Sequence, residues 1–251
     1  MPKVQLNGIE MYYEVHGEGP TVVFAHGAGG NHQSWWQQVP VFRSQYRCVS
    51  FDHRGFGQSP DVPQGPGSQA FVEDLTRLLD HLQIERVSLV AQSMGGRTCL
   101  GFTLAHPERV QALVMADTTG GFSDARMAEL RAAGEAALAG PNPPPRTYAP
   151  HFPQEHPARA FLYEQIRTLN PPRHDVPAPG PSVAQVRALH TPTLLIVGEH
   201  DIIAPPTIMK MFQSYIPHAQ LAEVAGAGHS VYFEKPTEFN RLVLDFLKEN
   251  L

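Results

Sequence analysis

The sequence predicts an α/β protein built on a doubly wound, mostly parallel sheet, and three features carry that prediction. Short apolar runs without polar alternation recur along the chain, as strands covered on both faces require. Segments with helical apolar spacing fall between them, giving the β-then-α rhythm of a parallel sheet. Turn residues bound each run. The 251 residues are 42% hydrophobic and 17% charged, which suits one packed core and not a disordered chain.

Taken in order, Val4 to Leu6 and Met11 to Val15 flank Asn7-Gly8, a pair that reaches positive φ at little cost, so the chain opens with a hairpin. Val22 to Ala25, Cys48 to Phe51, Val87 to Ala91, Ala112 to Ala116 and Leu194 to Val197 follow as buried strands. Phe71, Leu75, Leu78, Leu79 and Leu82 share one helical face, and near the C-terminus Phe239, Leu242, Leu244 and Phe246 roughly do so. Thr118 to Pro192 breaks the rhythm, since these 75 residues hold 13 of the 24 prolines. Clusters such as Pro143-Pro144-Pro145 and Pro171-Pro172 cannot continue a helix or a central strand. Two helical stretches survive there, Asp124 to Leu138 and Ala158 to Leu169, the second with Phe161, Leu162, Ile166 and Leu169 as its buried face. We read residues 119–190 as an inserted Pro-rich helical lid and 1–118 with 191–251 as the core. The alternative is a long disordered excursion.

Composition excludes several classes of function. A net charge of −5 without a basic run argues against a phosphate backbone as partner. No stretch reaches the roughly 18 apolar residues of a membrane span. The first residues carry no apolar signal region. Cys48 and Cys99 sit in apolar runs and read as buried free thiols of a cytoplasmic protein. The expected partner is a small-molecule substrate, with neither nucleic acid nor membrane, and the chain acts as a monomer or homodimer.

Of the eleven serines, Ser93 alone has glycine two positions later, in Ala91-Gln92-Ser93-Met94-Gly95-Gly96. It follows a strand and opens a helix running towards Ala105, the context that exposes a serine nucleophile. Such a tight turn needs very small residues two before and two after the serine, and Ala91 and Gly95 supply them. Serines in this position also cap helices. His26-Gly27-Ala28-Gly29-Gly30 follows another strand, and its small residues let backbone N–H groups turn inward. Ala28 and Met94 are the expected amide pair of an oxyanion hole. The same loop, with Asp52 ending the next strand, imitates a dinucleotide fingerprint, but glycine is missing at the third position, which is His32.

A serine hydroxyl needs a base, and the base an orienting acid. Among thirteen histidines, His229 lies in the glycine-rich loop Ala225-Gly226-Ala227-Gly228, ahead of the C-terminal helix. Asp201 follows the strand Leu194 to Val197. Asp117, ending the preceding strand, is the rival acid. The chain order Ser93, Asp201, His229 is that of one hydrolase fold.

These motifs resemble the α/β-hydrolase superfamily, its serine branch of esterases, enol-lactonases and carbon–carbon bond hydrolases. The resemblance rests on His26-Gly27, Asp52-His53-Arg54-Gly55-Phe56-Gly57-Gln58-Ser59, the turn around Ser93, Gly198-Glu199-His200-Asp201, and Gly228-His229 with Glu234-Lys235-Pro236 and Phe239-Asn240. It implies an eight-stranded sheet with a lid inserted after the sixth strand. Ala91 in place of the commoner glycine is its one departure. The expected activity is hydrolysis of esters or lactones of small, apolar substrates through an acyl-enzyme, without cofactor or metal. The alternatives are carbon–carbon bond hydrolysis or a related elimination, perhydrolysis with the same residues, or a small-molecule sensor with a hydrolase-like pocket. Trp35, Trp36, Phe122 and Phe152 are expected around the substrate. Phe161 and Tyr163 belong either with them or in the lid's own core. Arg97 is expected in a structural salt bridge or on a substrate carboxylate, and Arg54 with Asp52 in a local ion pair. Glu199, His200 and Asp201 resemble metal ligands by composition only.

Overall fold

The computed structural model describes residues 2–139, 144–172 and 178–251. Its opening hairpin joins β1 (Lys3–Leu6) to β2 (Ile9–His16) through Asn7 and Gly8, both at positive φ. The parallel strands are β3 (Thr21–Ala25), β4 (Arg47–Phe51), β5 (Val87–Gln92), β6 (Val110–Ala116), β7 (Thr193–Gly198) and β8 (Gln220–Val224). They and the hairpin form one sheet in the order β1-β2-β4-β3-β5-β6-β7-β8, antiparallel only at β1/β2 and β2/β4.

Alternate residues of each strand serve opposite faces. Val23, Ala25, Leu89 and Ala91 join one apolar cluster, while Val22, Phe24 and Val90 join the other. The helices are α1 (Val39–Phe42), α2 (Phe71–His81), α3 (Gly95–Ala105), α4 (Ala125–Leu138), α5 (Phe152–Glu155), α6 (Pro157–Thr168), α7 (Val183–Arg187), α8 (Pro206–Tyr215), α9 (Val231–Glu234) and α10 (Pro236–Asn250). α2, α3 and α8 cover the first face; α1, α6, α9 and α10 cover the second. With helices on both sides, every residue of β3, β5 and β7 is buried, which is why those strands show no alternation in sequence. Cys48 and Cys99 are buried and free, and burial pushes the Cys48 thiol up to about 12.

Two apolar faces differ from their sequence-based expectation. In α10 the buried stripe is Phe239, Val243, Phe246 and Leu247, with Leu242 and Leu244 only partly covered at its margins. In α6 it is Ala160, Tyr163 and Ile166, whereas Phe161 is 67% exposed and Leu162 and Leu169 also face outward. Tyr163 packs on Tyr148 and Phe233, and the Asn31 side-chain amide donates to the carbonyl of Ile166 at 3.1 Å on the same side of the helix.

The inserted segment between β6 and β7 contributes α4 to α7, and Asp124 caps α4 by accepting from the Met127 amide at 2.7 Å. Its ends are packed into the sheet's own core through Phe122, Met127, Val186 and Leu189. Pro143 of the triple-proline cluster lies outside the described residues. All six parallel strands end at the same edge of the sheet. The loops bearing His26, Asp52, Ser93, Asp117, Asp201 and His229 therefore leave that edge together, where ligands of open α/β sheets sit.

Candidate active site

Ser93 sits between β5 and α3 at a φ of +49°, a left-handed conformation that costs a non-glycine residue about 1 kcal/mol or more. Its amide is held by the carbonyl of Ala116 at 3.0 Å on the neighbouring strand. The turn exists because Gly95 has no side chain: a Cβ there would stand 2.2 Å from the carbonyl oxygen of Ala25 and 2.9 Å from that of His26. Backbone cannot yield as a side-chain tip can. Gly95→Ala is therefore expected to cost about 1–3 kcal/mol and to lower Tm by roughly 3 to 10 °C, checked by thermal unfolding. An unchanged Tm would contradict this close approach. Gly27 is constrained by side chains instead, since a Cβ there would meet the amide of Gln92 and the Cβ of Ser93.

The three side chains singled out in sequence stand in one hydrogen-bonded line. His229 Nε2 is 2.8 Å from Ser93 Oγ, and His229 Nδ1 is 3.0 and 2.9 Å from the two carboxylate oxygens of Asp201. Asp201 is fixed in turn by the amides of Ile203 and Ala204, at 2.7 and 3.0 Å. With Nδ1–H donated to the carboxylate, Nε2 is free to accept the serine proton. Burial alone would lower the His229 pKa, but the adjacent Asp201 charge and its hydrogen bond outweigh it, so the ring titrates above its ordinary value of 6.5.

Asp117, the rival acid, has another task. Its oxygens accept from the amides of Gly198 at 3.1 Å and Val231 at 3.2 Å, tying β6 to the end of β7 and to the histidine loop. Burial first, and the Asp201 charge second, hold its carboxyl well above the usual range. Arg54 does not pair with Asp52. Its guanidinium reaches across to Asp74 in the first turn of α2, at 2.6 and 2.7 Å, and to Asp61 at 3.1 Å. Asp52 instead accepts from the amide and ring of His32 and from the amide of Gln58, closing the loop that imitated a dinucleotide fingerprint.

Ser93 and His229 open into a cavity of about 280 Å3. Ala28 and Met94 line it beside the serine, as do Ile203 and Ala204. None of the four aromatics expected around the substrate lines this cavity. Trp35 is fully buried among Phe24, Tyr232 and Phe239, because the turn at His32–Trp35 points it into the core. Phe122 packs on Phe212 and Tyr215, and Phe152 on Tyr148 and Phe233. Trp36 is 43% exposed. It lines, with Trp35, a larger cavity of about 590 Å3 that contains neither Ser93 nor His229. The remaining polar lining of the serine cavity is Ser68, Asp117, Thr118, Thr119 and two arginines, Arg97 and Arg131. Arg97 has no carboxylate partner among the described residues and donates to the carbonyl of Ala178 at 2.8 Å. Phe161 points outward, whereas Tyr163 joins the second apolar cluster. Glu199 and His200 are exposed, and among the described residues no group of three or more His, Cys, Asp or Glu is placed to hold a metal ion.

Several residues that position the site had no role in the sequence reading. Gln92 Nε2 donates to the carbonyl of His229 at 2.7 Å. Glu234 accepts from the amides on either side of the histidine, Gly228 at 3.0 Å and Ser230 at 3.2 Å, and from Ala149 in the inserted segment at 2.8 Å. Gly228 is small because Tyr148 and Ala149 pack directly against it. Glu234→Gln would turn an NH2 group onto at least one of these buried donors. That variant is expected to lose about 1–3 kcal/mol of stability and roughly tenfold in kcat, checked by thermal unfolding and ester kinetics. Only the trailing position of Glu234 after Gly228-His229 signalled it.

The model of the alpha/beta hydrolase fold family matches residues 20–236. The 3-oxoadipate enol-lactonase 1 of Acinetobacter baylyi is 30% identical over 262 residues, covering 98% of this chain and 92% of its own. A protein of Caulobacter sp. (strain K31) that carries the name of a carbamate hydrolase, RutD, is 29% identical over 265 residues, covering 94% and 95%. A thermophilic esterase from Thermogutta terrifontis superimposes with a TM-score of 0.81 at 25% identity, over 99% of each chain. No helix among the described residues is long and apolar enough to cross a membrane. With the family model spanning most of its length, this chain is a hydrolase-fold enzyme and belongs to the alpha/beta hydrolase fold family.

Proposed function

We propose that the protein is a serine hydrolase that cleaves carboxylic esters or lactones of small substrates through an acyl-enzyme. The observation that carries this reading is the continuous run of hydrogen bonds from Ser93 Oγ through His229 to Asp201, opening on a cavity. His229 Nε2 takes the hydroxyl proton as Oγ attacks the carbonyl carbon. The carbonyl oxygen becomes an anion, received by the amides of Ala28 and Met94, and each such donor is worth about 3 kcal/mol in the transition state. Collapse of the intermediate expels the alkoxide, which takes the proton from His229 and leaves the acyl group on Ser93. Water then attacks, with His229 again as base, and the acid leaves. The imidazolium formed twice in this cycle is stabilised each time by Asp201.

The relatives support the reaction class, because the names of all three belong to cleavage at an acyl carbonyl. The inserted helices serve as a lid in this reading, since α4 contributes Arg131 to the cavity and Asn170, just after α6, bonds the loops at Gly29 and Gly57. The two free, buried thiols support a cytoplasmic setting. The test is covalent. A fluorophosphonate probe is expected to label one residue, mapped by peptide mass to Ser93. An unlabelled protein that still hydrolyses p-nitrophenyl acetate, or a label elsewhere, would overturn the assignment.

A further inference from the structure

A buried guanidinium is kept where an anion receives it, because an unpaired charge loses its hydration for nothing in return. The protein follows that rule at Arg54, which is 2% exposed and held by Asp74 and Asp61. Arg97 and Arg131 differ: both are half-buried, and neither is held by a carboxylate among the described residues. Both line the cavity that holds Ser93 and His229. Arg131 makes one hydrogen bond, to the Thr119 hydroxyl at 2.9 Å, and its Nε is buried without a partner. Burial, and then the charge of Arg97, hold Arg131 below its ordinary value, so the two cations act on each other across the cavity. Asp201, whose charge acts on Arg131, is committed to His229, and Asp117, which lines the same cavity, is committed to the amides of Gly198 and Val231.

Two like charges assembled beside a nucleophile, one from the first turn of α3 and one from α4, leave the cavity short of one anion among the described residues. Ser68, Thr118 and Thr119 add hydroxyls to the same wall. We propose that the hydrolytic site takes substrates bearing a carboxylate, which Arg97 and Arg131 bind while the scissile carbonyl lies at Ser93. This rests on the serine-hydrolase reading and narrows its substrate class to ester or lactone acids. The cavity, about 280 Å3, is on the order of nine water volumes and suits a small one.

The test compares esters that differ only in that charge. Monomethyl glutarate is set against methyl 4-carbamoylbutanoate, and 4-acetoxybenzoate against 4-acetoxybenzamide, so that the carboxylate is offered on the acyl side and on the leaving-group side. In at least one pair the carboxylate member is expected to have a kcat/KM at least tenfold above its neutral amide. That ratio is expected to shrink with added salt and to fall to about one in the Arg97→Gln/Arg131→Gln double variant, while Arg131→Lys, which keeps the charge, retains most of it. Equal rates within both pairs for the wild type would overturn the proposal and leave the hydrolase reading intact. Binding supplies a readout free of turnover: glutarate is titrated into Ser93→Ala with and without the two arginine substitutions. Affinity should fall at least tenfold when the arginines are replaced. No binding, or binding indifferent to the arginines, overturns the proposal whatever the esters do. Arginine-dependent binding with no ester cleaved would uphold the anion site and remove the hydrolase reading.

Discussion

Replacing Ser93 by alanine is expected to lower kcat/KM towards p-nitrophenyl acetate by about 10^4-fold or more, with Tm within about 2 °C of wild type. The size of the loss follows from what the hydroxyl does. Without it there is no acyl-enzyme, and the remaining amides can only polarise a carbonyl that water must attack unaided. The small effect on stability follows from its contacts. Ser93 Oγ is hydrogen-bonded to His229, and the turn itself is held by backbone, through the Ser93 amide on Ala116 and the close approach of Gly95 to Ala25. Alanine keeps both. Activity retained within a few-fold of wild type would mean that the hydrogen-bonded line is not the engine of the reaction. A loss of activity accompanied by unfolding would be uninformative for alanine, and Ser93→Cys then serves, because it preserves a nucleophile of similar size in the same turn.

The parts of this molecule legible in sequence are those where one local requirement has one solution. A parallel strand buried on both faces must be apolar throughout, so β3, β5 and β7 announce themselves. A serine between a strand and a helix with glycine two residues on has little alternative to a tight exposed turn. What is not legible depends on which surfaces meet. Phe161, Leu162, Tyr163 and Ile166 spread around the circumference of α6, and the packing of Tyr163 on Tyr148 and Phe233 turns Tyr163 and Ile166 inward and Phe161 and Leu162 outward. Large aromatics are expected in apolar surroundings, and Trp35, Phe122 and Phe152 find them in the core, away from the serine cavity. Arg131 carried no signal at all. It lies on α4, where Met127 is the one fully buried side chain among the described residues, and nothing in the spacing of that helix points to the cavity. Short α5 and α9 have no side-chain cap to mark their starts, and partly exposed β8 lacks the uninterrupted apolar run of the central strands.

The preference for Asp201 over Asp117 as the orienting acid is already made from the sequence, and it yields the second large effect. Asp201→Asn is expected to reduce kcat by about 10^4-fold, as loss of the orienting acid does in serine hydrolases. An asparagine at 201 keeps an oxygen for the amides of Ile203 and Ala204, but turns its NH2 towards His229 Nδ1. Nδ1 must then accept, which moves the proton to Nε2, where it faces Ser93 and cannot serve as a base. Asp117→Asn changes a different set of bonds: it leaves one of the Gly198 and Val231 amides without its acceptor, so stability falls by about 1–3 kcal/mol while kcat stays within roughly tenfold. The pH profile separates the two roles. The base works only when neutral, and Asp201 raises the His229 pKa against the opposing effect of burial, so the acid limb of kcat/KM in the wild type lies above pH 6.5. Removing the Asp201 charge leaves burial unopposed by its strongest partner, and the limb of the residual activity moves to lower pH. A limb that stays in place in Asp201→Asn but shifts down in Asp117→Asn would assign the orienting role to the other carboxylate.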